Sequence, residues 1–217
     1  SMSPSGSDLA VGLRAFYTAY NGSTVHSPIA TQYYNASKST VTNSLTYSSN
    51  DVFDSSVASI SNPINNSTAI LTEIGKALAG APVVAGGYYP LYTDIPRGNA
   101  GYCAFHGSGT VDNIPITYSF YFSLRNDAGC AASTTSNSLS STTQALINVS
   151  AHEFIEMITD PQLNAWHDAK GQEIGDKCAW KYNGTQTLTG NSNKIPFLLQ
   201  GEWSNAISGC AWTNQKG

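Results

Sequence analysis

The sequence predicts an α+β fold: a mixed β-sheet packed against one long helix, stapled by two disulfides. Three observations carry this. Residues 116–124 alternate strictly, with Ile116, Tyr118, Phe120, Phe122 and Leu124 on one face and Thr117, Ser119, Tyr121 and Ser123 on the other, the period of two that a strand requires. Ser141–Thr159 is a helix-length, largely apolar segment ending at Asp160-Pro161; proline cannot continue a helix and pushes the preceding residue out of the helical region. Cys103, Cys130, Cys178 and Cys210 form no CxxC pair, so they read as two disulfides rather than a structural zinc knuckle. Three pairings are open to four cysteines. Sequential pairing, Cys103–Cys130 and Cys178–Cys210, is favoured because it closes two local loops.

The remaining elements follow in chain order. Residues 8–20 are apolar-rich and of either type. Residues 25–34 mix β-branched and aromatic side chains and read as a strand, and the Ser/Thr/Asn-rich stretch 36–50 as helix or loop. In 67–79, Ile70, Leu71, Ile74, Ala77 and Leu78 recur at helical spacing before Gly80, which predicts a helix. Residues 82–92 are β-rich, 131–139 form a Ser/Thr loop, 161–194 are irregular, and 195–199 are β-like.

The chain has 217 residues, which fits one domain. Ser1-Met2 reads as a cloning remnant, so that domain is taken as 3–217. Charged residues make up 11% of the sequence, against about 25% in an average protein. Ser, Thr, Asn, Gly and Tyr replace them, a surface suited to life outside the cell. The net charge of -4, with no basic stripe, excludes a nucleic-acid partner. No apolar run approaches the roughly 20 residues of a membrane span. No leader is visible, and any export signal is expected to have been removed; the expectation is a secreted monomer. Sequons at Asn21, Asn35, Asn65, Asn66, Asn148 and Asn183 carry little weight, because an Asn/Ser/Thr-rich chain makes them by chance.

The chemistry concentrates between residues 151 and 176, where Glu153, Glu156, Asp160, Asp168, Glu173 and Asp176 lie beside His152 and His167. His152-Glu153-Phe154-Ile155-Glu156 is an HExxE pattern on the predicted long helix. His152 and Glu156, four apart, project from one face and can share an ion. Glu153 lies about 100° around the helix, within reach of a water beside that ion. This is the HExxH zinc-helix geometry with a carboxylate as second ligand, which zinc accepts. By chance the pattern would arise in about 2 in 100 such chains, and a Glu-bearing turn is ordinarily a solvated face. Here the flanking Ala151, Phe154, Ile155, Met157 and Ile158 are apolar, so three ionisable groups need partners.

For the third ligand, Asp160 stands ~12 Å along the helix axis from His152, too far for the same ion, and reads as a helix-end carboxylate ordering the next turn. Asp176 is preferred: Gly171 and Gly175 let the chain turn back to the helix, and thermolysin-like enzymes place their third ligand at a similar remove. Glu173 is the runner-up, or orients a ligand from behind. Asp168 reads as a turn residue; the 168–176 loop lacks the regular spacing of a calcium-binding EF-hand.

The run His152-Glu-Phe-Ile-Glu-Met-Ile-Thr-Asp-Pro161, then Asn164-Ala-Trp166 and Glu173-Ile-Gly-Asp-Lys-Cys178, together with Cys103-Ala-Phe-His106-Gly-Ser108 upstream, resembles microbial members of the EXORDIUM (phosphate-induced protein) family over roughly residues 80–212. The resemblance implies an extracellular, two-disulfide protein with a zincin-like core, and supports His152, Glu153 and Glu156 as site residues and Asp176 less firmly. His106 reads as structural. His167 has no counterpart and is a candidate for stabilising the transition state.

The expected function is therefore that of a secreted metallopeptidase. One Zn2+, held by His152, Glu156 and Asp176, would serve a hydrolysis in which Glu153 is general base. Calcium or manganese would also suit the donors. The substrate, a protein or peptide, would lie along an edge strand, with 116–124 as one candidate. The rival is a non-catalytic wall- or carbohydrate-binding protein. Its tyrosines and tryptophans suit sugar stacking, but they suit an ordinary core better.

Overall fold

The computed structural model describes residues 8–35, 37–54, 63, 66–132, 139–190 and 195–214. Ser1-Met2, the Asn65 sequon and most of the 131–139 loop lie outside them. Asp8–Tyr20 forms helix α1, which buries Leu13, Phe16, Tyr17 and Tyr20, a stripe at three- and four-residue spacing. The strand expected over 25–34 is not formed. Ser27–Gln32 is a 3₁₀ turn with Pro28 at its start, and only Tyr34 makes an isolated bridge, to Thr40. Proline lacks the N–H that a strand ladder uses, and its fixed φ suits the first turn of a helix; this outweighs the β-branched content. The described part of 36–50 is loop.

Helix α2 (Ser67–Leu78) starts at Asn66, whose side chain accepts from Ala69 N at 3.1 Å. It stops through Ala79 and Gly80, both at positive φ. Three strands follow: β1 (Tyr88–Pro96), β2 (Ala104–Val111) and β3 (Ile114–Ser123). The sheet is mixed, in the order β1-β3-β2, with β3 parallel to β1 and antiparallel to β2. Asp112 and Asn113, at φ 50° and 62°, make the two-residue hairpin turn that Asp and Asn favour.

The strand read in 116–124 is present, but as the central strand, and both its faces are buried. Its apolar side packs with Ile70 and Ile74 of α2. Its hydroxyl side lies under the long helix α3 (Ser141–Thr159). There Tyr88 Oη sits 2.9 Å from both Ser119 Oγ and Tyr121 Oη, and Tyr92 Oη sits 2.7 Å from Ser150 Oγ of α3 and 2.8 Å from Tyr17 Oη. Pairing the hydroxyls among themselves makes an internal tyrosine layer tolerable. Because β3 has neighbours on both sides, it cannot accept a substrate strand. The edges of the sheet are β1 and β2.

Helix α3 is capped by Ser140, which accepts from Thr143 N, while Asp8 Oδ2 accepts from Ser140 Oγ and Thr143 Oγ1 at 2.6 Å each. It is buried almost all round. Ile147, Ala151, Phe154 and Ile155 join α1 and the C-terminal segments; Ala145, Leu146 and Val149 join the sheet. Two small hairpins complete the described chain: β4 (Gln186–Leu188) with β5 (Ile195–Phe197), and β6 (Glu202–Ser204) with β7 (Gly209–Ala211). The disulfides are Cys103–Cys130 and Cys178–Cys210, the sequential pairing. No described helix is long and apolar enough to cross a membrane. The sequon at Asn148 lies inside the protein: its Oδ1 accepts from Gln200 N at 2.7 Å, and the residue is 1% exposed.

Candidate metal centre

The helical spacing of His152 and Glu156 brings His152 Nε2 within 3.1 Å of Glu156 Oε2. A short 3₁₀ turn (Asp176–Cys178) returns the chain to this face of α3. Asp176 N donates to Glu156 Oε1 at 3.0 Å, and Asp176 Oδ1 lies 3.7 Å from His152 Nε2. The ligand atoms of His152, Glu156 and Asp176 all fall within 4.8 Å of one another. Side-chain exposure rises from 4% at Glu156 through 15% at His152 to 44% at Asp176, so the group opens to solvent on the Asp176 side.

Gln200 backs the histidine. Its Nε2 donates to Gly175 O at 3.0 Å and lies 2.9 Å from His152 Nδ1. That contact leaves Nε2 facing Glu156. An ion taken up by Nε2 would displace the proton carried there, as ligand protons are displaced when metals bind.

Glu153, one residue along, is 4% exposed, and its Oε2 has no hydrogen-bond partner among the described residues. Burial pushes its carboxyl up to about 8; Glu156 and Glu173 push the same way, while His152 and His106 oppose them. Burial alone would lower His152, but Glu156 and Glu153 hold it well above its ordinary value. Burial alone would raise Glu156, but His152 overrides it and holds that carboxyl below its usual range. Asp176 is raised by burial and by Glu156. Glu153 and Asp176 are thus harder to ionise than free carboxyls and Glu156 is easier, the divergence that marks a candidate functional site.

The other sequence candidates are now placed. Asp160 ends α3 and accepts from Asn164 N and Ala165 N at 2.6 and 2.7 Å, the turn-ordering role expected of it. Asp168 accepts from Lys170 N and Gln172 N and pairs with Lys177 at 2.8 Å, an ordinary turn. His167 is exposed, with its Nδ1 3.1 Å from Asp168 O, and the structure does not bring it into the group.

His106, read as structural, is brought by the structure to Glu173, the runner-up ligand. It lies in β2, buried, with Nε2 3.3 Å from both carboxylate oxygens of Glu173. Burial alone would lower it; Glu173, Glu153 and Glu156 hold it above its ordinary value. Glu173, the runner-up ligand, is raised by burial, with His106 opposing. Only the upstream Cys103-to-Ser108 motif could have pointed to His106, since no local spacing links a strand residue to the helix that its sheet packs against. Two surface hollows lie elsewhere, one beside Leu9, Thr93 and Leu146 and one beside Leu71, Gly75 and Thr110; neither is lined by a histidine.

No protein family, curated protein or solved structure matches this chain.

Proposed function

We propose that this protein is a zinc-dependent endopeptidase of zincin-like design, working outside the cell. The observation that carries the reading is the convergence of His152, Glu156 and Asp176 within 4.8 Å, with the buried Glu153 carboxyl beside them. One histidine and two carboxylates are a donor set that zinc accepts. The opening at Asp176 leaves a way in for water and substrate. A divalent cation here would supply Lewis acidity toward a water and a peptide carbonyl.

Glu153 takes the water's proton and passes it to the departing amine. A carboxyl raised to about 8 in the ion-free site falls once a cation stands beside it, which brings it near the operating pH of a general base. The substrate strand adds along β2, an edge strand of the described sheet that carries His106, rather than along the strand 116–124. Two disulfides fit an oxidising compartment.

The test is incubation of the zinc-loaded protein with unfolded casein and a peptide library, with and without a chelator. Cleavage that the chelator abolishes is expected. A zinc-loaded protein that cleaves nothing would remove the peptidase reading and leave a non-catalytic extracellular binding protein.

A further inference from the structure

Glu156 belongs to two groups at once. Its carboxylate converges with His152 and Asp176, and also with His106 and Glu173; in each triad the ligand atoms lie within 4.8 Å of one another. We propose that the centre binds two divalent cations that share the Glu156 carboxylate, one on His152, Glu156 and Asp176 and the other on His106, Glu156 and Glu173. The inference builds on the first ion site proposed above and adds the second.

Three features of the molecule support it. The donors come from three separate elements: His106 from β2, Glu156 from α3, and Glu173 from the segment before Asp176. The segment that carries Glu173 and Asp176 therefore completes both triads, one residue for each. Next, Glu153 is 4% exposed and its Oε2 has no hydrogen-bond partner among the described residues. Glu153 directly follows His152 on α3, and a buried polar atom without a partner calls for one. His106 Nδ1, in the second triad, is likewise buried with no hydrogen-bond partner among the described residues.

The third feature is charge. Glu153, Glu156, Glu173 and Asp176 stand together, and their only ion-pair partners among the described residues are His106 and His152. Nearby Lys177 is engaged by Asp168. Burying carboxylates without cations is costly. An ion on the first triad alone leaves Glu173 with His106 as its ion-pair partner among the described residues; a second ion adds a cation beside it. Carboxylate-bridged ion pairs about 3.5–4 Å apart recur in hydrolytic enzymes, and one imidazole with two carboxylates per ion suits Zn2+ or Mn2+.

The experiment strips the full chain with a chelator, titrates it with Zn2+, removes unbound metal, and counts zinc per chain by mass spectrometry. Thermal melts check that each variant is folded. The parent should hold about two zinc ions, and His106→Ala and Asp176→Asn about one each. Glu156→Gln, which cripples both triads, should hold neither firmly. If His106→Ala fails to melt cooperatively, Glu173→Gln asks the same question of the same triad. A parent that saturates at one zinc, kept by His106→Ala and by Glu173→Gln but lost in Asp176→Asn, overturns the second site and leaves the first standing. A parent that binds none overturns both.

Discussion

A Cβ built on Gly175 would lie 2.7 Å from His152 Nδ1 and 3.0 Å from Glu156 Oε1. Gly175 has φ -76°, a conformation that alanine adopts freely, so the requirement for glycine here is contact and not backbone freedom. Its missing side chain is what lets the turn before Asp176 press against the helix. Gly175→Ala should therefore push the turn outward, at a cost of about 1–3 kcal/mol for the overpacking. It should also weaken zinc binding about 10–100-fold, the usual penalty for disturbing what orients a ligand. Calorimetric zinc titration beside a denaturant melt separates the two effects. An alanine variant that binds as tightly as the parent would mean that Asp176 is not held in place by this contact.

Glu153 should prove dispensable for the ion and necessary for chemistry. Glu153→Gln keeps the shape of the side chain and removes the base. Zinc content should stay at the parent's level while peptide cleavage falls by about 10²–10⁴-fold, the range for losing a positioned general base. Cleavage at the parental rate would give the proton transfer to another group.

The ion-free protein should lose stability as pH rises. Glu153 is lifted from 4.5 to about 8, so between those values the unfolded chain sheds a proton that the folded chain keeps, and folding is penalised by about 3 kcal/mol by pH 7. Glu173 and Asp176, also raised, and His106 and His152, raised by the same carboxylates, act in the same direction. Glu156, lowered by His152, and Asp168, lowered to about 2 by Lys177, act in the opposite direction, but only in acid. The melting temperature of chelated protein should thus fall from pH 5 to pH 8. Added zinc should restore it most at the alkaline end. Glu153→Gln should flatten the profile. A chelated parent whose melting temperature is level across that range would mean that these groups are solvated.

Much of this was legible in the sequence where a local rule was in force. The long helix was legible from its apolar length and from Pro161 at its end, and His152 and Glu156 met because about four residues make a turn. The strand in 116–124 was legible for the same reason, but its burial was not. Whether Ser119 and Tyr121 face water depends on α3 lying over them, and alternation carries no record of a distant helix. The strand read over 25–34 came from side-chain type alone, and Pro28 decided the matter through the backbone. Asp176 was reachable by asking where glycines let the chain return. His106 was not, because sheet pairing and the packing of β2 against α3, rather than any spacing, make it a neighbour of Glu173.

The two disulfides should separate stability from ion binding. Each closes a loop of similar length, 27 and 32 residues apart, so loop entropy alone gives each about 3–4 kcal/mol. Their positions differ. Cys178 ends the 3₁₀ turn that begins at Asp176, and Cys210 lies in β7, the partner of β6. Trp203 N of β6 donates to Ile174 O at 3.0 Å, so the β6–β7 hairpin grips the 173–178 segment at both ends. Replacing Cys178 and Cys210 together by alanine should cost stability and also weaken zinc binding, because the segment that carries Glu173 and Asp176 loses one of its two ties to that hairpin. Replacing Cys103 and Cys130 should cost about as much stability, yet weaken binding less, because Cys103 lies just before β2 and the β2–β3 pairing still holds His106. Chemical denaturation and zinc titration of both double variants test this. Equal losses of affinity would show that zinc binding follows global stability rather than the anchoring of one turn.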